Sequence, residues 1–215
     1  VMESFKMFMD LLPEDERENV VLIMHTHPRD EEGTDISAVS ELLELENNIV
    51  ISQEKVPFEN MVMAYNCMDV TINIANNEGF GLATLESLAC GTPIIVTMTG
   101  GLQSQVTNKW NEEDLEKHGE EWYGIGLDPD VRSLAGSVPT PYIYDDRASN
   151  ERVAQALFEI YNMDVGERKE LGLKGRGWVE RHFDIRAQAK KWDKALKRTI
   201  KNCEGRKNWR IKRVA

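Results

Sequence analysis

Residues 76–96 read NNEGFGLATLESLACGTPIIV, and the reading of this stretch decides the fold. An acidic turn with glycines on both sides of Phe80 leads into a run of small and apolar residues. A Gly-Thr-Pro turn and β-branched residues follow. The segment before it, DVTINIA at 69–75, reads as a strand, GLATLESLACG at 81–91 as a helix and PIIVTM at 93–98 as a second strand. Glu78 then stands at the carboxyl end of a strand, where open α/β sheets bind their ligands. Gly79 and Gly81 allow a tight turn and close backbone approach. The helix that follows turns its free N–H groups and positive dipole end into the same crevice, which suits a phosphate.

Spacing alone does not single out Glu78 and Glu86. Glu46/Glu54, Glu112/Glu120, Glu113/Glu121 and Glu151/Glu159 are separated in the same way. Position on the helix is more telling. At about 100° per residue, Glu86 projects near Leu82, Leu85 and Ala89, whereas Thr84 and Ser87 form the polar side. A carboxylate buried in such an arc costs several kcal/mol unless donors reach it. Ligand hydroxyls, backbone N–H groups or an arginine would serve.

Working outward, helices are expected at 2–12, 36–46 and 59–68, alternating with strands at 19–26 and 48–52. This alternation predicts an α/β fold, a Rossmann-like doubly wound parallel sheet with helices on both faces. The pattern loosens after Gly101, and residues 107–141 read as an insertion carried by the sheet. YIYDD at 142–146 reads as one more strand, followed by helices at 149–162, 165–181 and 186–203. One domain over 1–203 and a basic tail over 204–215 result.

The chain has 215 residues and a net charge of −11, which argues against nucleic acid as the main partner. Residues 1–60 carry 4 basic and 15 acidic side chains, and residues 168–215 carry 17 basic and 5 acidic ones. The basic end reads as a solvated helix face, or as a surface for an anionic membrane or acidic partner. Cys67, Cys90 and Cys203 form no C-x-x-C pair, as fits a reducing, cytoplasmic setting. There is no signal-peptide pattern and no apolar run of membrane-spanning length.

His25 and His27 alternate at a strand end without a carboxylate or cysteine at ligand spacing, so no metal site is expected. His25 or Arg29 could line the cleft, though a satisfied loop residue is the simpler reading. The GFG run lacks the third glycine of a dinucleotide fingerprint. Trp178, Trp192 and Trp209 read as helix-packing residues.

The combined motif EGFGLATLESLACGTPIIVTMTGG closely resembles the donor-binding region of retaining GT-B glycosyltransferases, family 4 in particular. Their pattern is matched at Glu78, Gly79, Phe80, Gly81, Glu86, Ala89, Gly91, Pro93, Gly100 and Gly101, with Ser87 in place of the usual alanine. The resemblance runs back through AYNCMDVTINIANN and HTHPRDEEGTD; residues 107–148 fit poorly.

The resemblance implies transfer of a sugar from a nucleoside diphosphate sugar, with retention of anomeric configuration. No metal or further cofactor is implied. Glu78 would hold the donor sugar and help stabilise positive charge at the anomeric carbon. Glu86 would accept from the ribose hydroxyls. The backbone of Phe80, Gly81 and Leu82 would face the diphosphate or sugar, and Gly100–Gly101 would let the next loop approach. The nucleobase would lie near Lys55 and Val56.

Such enzymes pair this domain with an N-terminal acceptor domain. That domain is absent from these residues, as is the Arg…Lys-Gly stretch that offsets the leaving diphosphate. Gln103 stands near the place where a glutamate is usual. The expectation is a donor-binding half that does not transfer sugar alone and self-associates through an apolar stripe at 186–203. A GT-B-fold sugar-nucleotide epimerase and a non-catalytic nucleotide- or partner-binding module are the alternatives.

Overall fold

α1 (Met2–Leu11) opens the chain as an amphipathic helix. Phe5, Phe8 and Met9 on its inner face are almost fully buried, at 3%, 3% and 4% exposure. In this computed structural model, which describes residues 1–30 and 33–204, that face packs against α7 (Asn150–Asn162). Val153, Ala154, Ala156, Leu157 and Ile160 meet it from the other side. Ser4 Oγ donates to the Asn150 side chain at 2.9 Å and fixes the register of the two helices.

β1 (Leu22–His25) leads to α2 (Ile36–Leu42), whose N-cap Asp35 accepts from the Ala38 N–H at 3.0 Å. β2 (Ile49–Ser52) then lies parallel to β1, with Leu22 opposite Ile49. α3 (Phe58–Asn66), β3 (Thr71–Asn73), α4 (Leu82–Cys90) and β4 (Ile94–Thr97) continue the alternation. After α5 (Gln103–Val106) and α6 (Glu112–His118), β5 (Gly124–Leu127) joins the sheet. β3, β4 and β5 are parallel and adjacent in that order, and β4 is buried throughout. Leu22, Ile95, Leu127 and the α1–α7 side chains share one core.

The parallel α/β architecture agrees with the expectation, with two differences. First, β1–β2 and β3–β4–β5 form separate sheets. In the common order 3-2-1-4-5-6, these correspond to the strands on either side of position one. The described residues place no strand there. Second, the segment expected as an insertion contains β5, a strand of the sheet. Its YGIGL sequence hides it, because glycine at alternate positions removes the apolar signal. Gly124 is needed there: a Cβ would lie 1.8 Å from the Ile94 carbonyl oxygen.

β6 (Val131–Ser137) and β7 (Thr140–Arg147) form an antiparallel hairpin, with Arg132 opposite Asp146 and Leu134 opposite Tyr144. The strand expected at 142–146 is therefore the returning arm of this hairpin. α8 (Val165–Phe183) and α9 (Ile185–Cys203) end the described chain. Residues 1–177 make one compact unit, and the second begins at Trp178. Within the second, the Trp178 ring lies 5.1 Å from Phe183. Trp192 is 66% exposed instead of packed. Trp209 and the tail after Glu204 lie outside the described residues. Among those described, no helix is long and apolar enough to cross a membrane.

Candidate functional site

The turn between β3 and α4 is fixed by hydrogen bonds on both sides. The Gly101 N–H donates to the Glu78 carbonyl at 3.1 Å, and the Phe80 N–H reaches Glu78 Oε1 at 3.3 Å. Gln105, fully buried, donates from Nε2 to the Gly81 carbonyl at 3.1 Å. The Thr84 hydroxyl bridges the Gly81 carbonyl at 2.9 Å and Gln105 Oε1 at 2.7 Å. Gly81, at φ +87°, caps α4 in the left-handed region.

The two glycine turns lie backbone against backbone. Gly100 has φ +47°, and a Cβ there would stand 1.8 Å from the Glu78 carbonyl oxygen. A Cβ at Gly101 would stand 2.6 Å from Phe80 Cα. These glycines let the β4 loop press the Glu78 turn into shape. Gly79 differs: a Cβ there would meet nothing within 4 Å, so its bare backbone faces open space.

α4 corrects the projection made from sequence. Thr84 and Ser87 face inward, both at 0% exposure, and Glu86 is exposed. The reason is that the two hydroxyls find partners inside. Ser87 Oγ pairs with the Thr71 hydroxyl at 2.8 Å and donates to the Thr92 carbonyl at 3.1 Å. Glu86 therefore needs no buried donor. Leu82 takes the outer side with it, at 68% exposure. Glu86 is still anchored, because the Tyr65 hydroxyl donates to its Oε2 at 3.2 Å. Burial, reinforced by the Glu86 carboxylate, pushes the Tyr65 phenol up to about 12.

A cleft of about 540 Å³ opens beside the turn, with Glu78, Gly79, Gly100 and Gln103 on one side and Arg132 and Tyr144 of the hairpin on the other. Of the residues proposed for the donor, Glu78, Gly79 and Gly100 line this cleft. Phe80, Gly81, Leu82, Glu86 and Gly101 are outside its lining. Lys55, exposed, and Val56, half-buried, sit in the β2–α3 loop and are not brought to it. His25 Nδ1 pairs with Ser52 Oγ at 3.0 Å, and Arg29 with Asp35 at 2.9 Å. Neither lines the cleft. Among the described residues, no three His, Cys, Asp or Glu side chains are grouped to hold a metal.

Sequence reasoning missed Tyr65, Gln105 and the hairpin. Tyr65 stood inside the matched AYNCMD run, so a signal was present. Gln105 acts through backbone carbonyls and the Thr84 hydroxyl, 21 or more residues away in sequence, and left none.

A family profile for glycosyl transferases group 1 matches residues 4–112. The chain belongs to this family. It is 36% identical over 126 residues to the D-inositol 3-phosphate glycosyltransferase of Acidothermus cellulolyticus, covering 56% of this chain and 27% of that protein. The chain spans about a quarter of the length of the curated relatives it matches. Among solved structures, a glycosyltransferase from Rickettsia africae superposes with TM-score 0.65 at 18% identity, over 94% of this chain and 44% of that one. The Anabaena protein HepE, solved with UDP-glucose, gives 0.60 at 14% identity, over 89% and 44%. At these identities the likeness establishes the fold.

Proposed function

We propose that this chain is the donor-binding half of a retaining glycosyltransferase that takes its sugar from a nucleoside diphosphate sugar. The observation that carries this is the Glu78–Gly81 turn. Its carboxylate and the open backbone of Gly79 face one cleft, and α4 starts immediately behind it. Glu78 holds the sugar hydroxyls and stabilises charge at the anomeric carbon. The N–H groups at the start of α4, with Phe80, Gly81 and Leu82, meet the diphosphate. Glu86, steadied by Tyr65, accepts from the ribose. The base lies toward Lys55 and Val56. The structural neighbour that holds UDP-glucose supports a nucleotide sugar as ligand.

Catalysis also needs an acceptor held against the anomeric carbon and cations to offset the leaving diphosphate. An N-terminal acceptor domain would supply both. The chain alone therefore binds donor without transferring sugar. It works in the cytoplasm, with its basic end available to an anionic membrane surface. Calorimetry with uridine, guanosine and adenosine diphosphates tests the reading, followed by a sugar-release assay with the matching nucleotide sugars. Binding of one diphosphate with a Kd of about 0.1–1 mM and no transfer is expected. Failure of all three to bind at millimolar concentration overturns it.

A further inference from the structure

The β6–β7 hairpin lies beyond the residues that match the family profile, which end at 112. Yet it supplies one whole side of the cleft. In an antiparallel pair, alternate residues share a face, and so do residues directly opposite each other. Tyr142, Tyr144 and Asp146 therefore share a face with Arg132 and Leu134. Four of these five line the cleft across from Glu78 and Gly79, and Ile143 at the alternate position borders it as well.

This face is held firmly at one end and left bare at the other. Asp146 is 4% exposed. Its carboxylate accepts from Arg132 Nε at 2.6 Å and from the Thr99 hydroxyl at 2.9 Å. Its backbone N–H donates to the Asn76 carbonyl at 2.9 Å. Asn77 Nδ2 donates to the neighbouring Asp145 carboxylate. The hairpin is thus clamped to both loops that form the rest of the cleft, the one after β3 and the one after β4. The Arg132 guanidinium, fixed by Asp146, sits over the Tyr144 ring at 5.5 Å. Tyr144 and Tyr142 nevertheless remain 60% and 76% exposed, with their rings beside the cleft. A clamped aromatic wall facing a carboxylate across an open cleft suits a pyranose. A pyranose presents hydroxyls to an acceptor on one side and C–H groups to a ring on the other.

We infer that the β6–β7 hairpin is the sugar-selecting wall of the donor site, with Tyr144 as the ring on which the donor's sugar packs and Asp146 as the residue that positions it. This rests on the donor-binding reading above. The nucleotide itself meets the turn and α4, so the hairpin distinguishes a nucleotide sugar from its parent diphosphate. Arg132 has its charge matched by Asp146, so it acts as a brace for the ring and not as a phosphate cation.

The experiment compares UDP with UDP-glucose and GDP with GDP-mannose by calorimetry, on the wild-type chain and on Tyr144→Ala, Tyr144→Phe and Asp146→Asn. Tyr144 is largely exposed, so its variants keep the fold; circular dichroism and thermal melts verify this. Tyr144→Ala is expected to weaken the preferred nucleotide sugar about three- to tenfold while its parent diphosphate changes less than about twofold. Tyr144→Phe keeps the ring and stays within about twofold of wild type. Asp146→Asn follows Tyr144→Ala. Diphosphate binding by wild type with equal loss of both ligands in Tyr144→Ala, or with no loss of either, overturns the wall but leaves the donor reading standing. Absence of any diphosphate binding to wild type overturns both.

Discussion

Replacing Glu86 by alanine separates a ribose-binding role from a structural one. The side chain is exposed, and its Oε2 already accepts from the Tyr65 hydroxyl at 3.2 Å. Among the described residues, Oε1 has no hydrogen-bond partner, so one oxygen is held and the other is ready for a ligand. Counting one full hydrogen bond to a charged acceptor gives about 1.5–3 kcal/mol. That corresponds to roughly 10- to 150-fold in Kd for a nucleoside diphosphate. Inorganic pyrophosphate has no ribose, so its Kd should change by less than about twofold. An exposed side chain outside the core should leave the empty fold within about 0.5 kcal/mol of wild type. Calorimetry with both ligands and urea unfolding without them give all three numbers. Equal weakening of diphosphate and pyrophosphate would refute the ribose role, and a large loss of stability in the empty chain would make Glu86 a structural residue.

Three further outcomes are expected. Gly100→Ala should cost about 2–4 kcal/mol in urea unfolding, because the left-handed φ and the contact with the Glu78 carbonyl both oppose a Cβ; Gly79→Ala, facing open space, should leave stability unchanged and show itself only in ligand binding. Tyr65 should titrate near 12 by ultraviolet absorbance. The neutral phenol is the form the fold prefers, so its contribution is complete below the ordinary tyrosine value of about 10 and fades as pH rises toward 12; Glu86→Gln should lower the titration but keep it above the ordinary value, since burial is the larger cause. α9 has no buried residue among those described, and its Trp192, Leu196 and Ile200 form an exposed stripe. Sedimentation should show self-association that Leu196→Glu removes, and a monomer at every concentration would dismiss it.

The glycine motif and the alternation of elements were legible because each has a local cause. A left-handed φ demands glycine at 81 and 91, and the apolar run at 94–97 demands burial, which it has throughout. What escaped depended on pairing between distant segments. Thr84 and Ser87 looked like a solvent face because a helical projection cannot see that Gln105, Thr71 and Thr92 wait for their hydroxyls. β5 escaped because its two glycines serve close approach to neighbours, which reads in sequence as a loop. The hairpin escaped for a third reason: its anchor is one aspartate whose partners, Arg132 and Thr99, lie 14 and 47 residues away.

The separation of the two parallel sheets leads to the last expectation. In a parallel ladder, successive N–H groups point to opposite sides. The Leu22 and Thr26 N–H groups donate to Asn48, just before β2, and to Ser52 at its end, so the Ile23 and His25 amides point toward the other edge of β1. The Thr71 N–H donates to Pro93 beside β4, so the Ile72 amide points toward the outer edge of β3. Yet Leu22, Met24, Ile72 and Ile95 belong to one core, so both edges border the same apolar body. Parallel strands are normally covered on both faces, whereas Val21, Ile23 and Val50 are 49%, 46% and 51% exposed. Unpaired parallel edges next to exposed β-branched residues are sites for pairing with another strand. Amide exchange followed residue by residue should therefore find Ile23 and Ile72 faster than Met24 and Asn73 by about tenfold or more at low protein concentration. Raising the concentration should slow these two amides selectively if a second copy pairs along the edges. Equal protection of all four amides in a chain shown by sedimentation to be monomeric would mean that the edges are closed within the chain, and the two-sheet arrangement would fall.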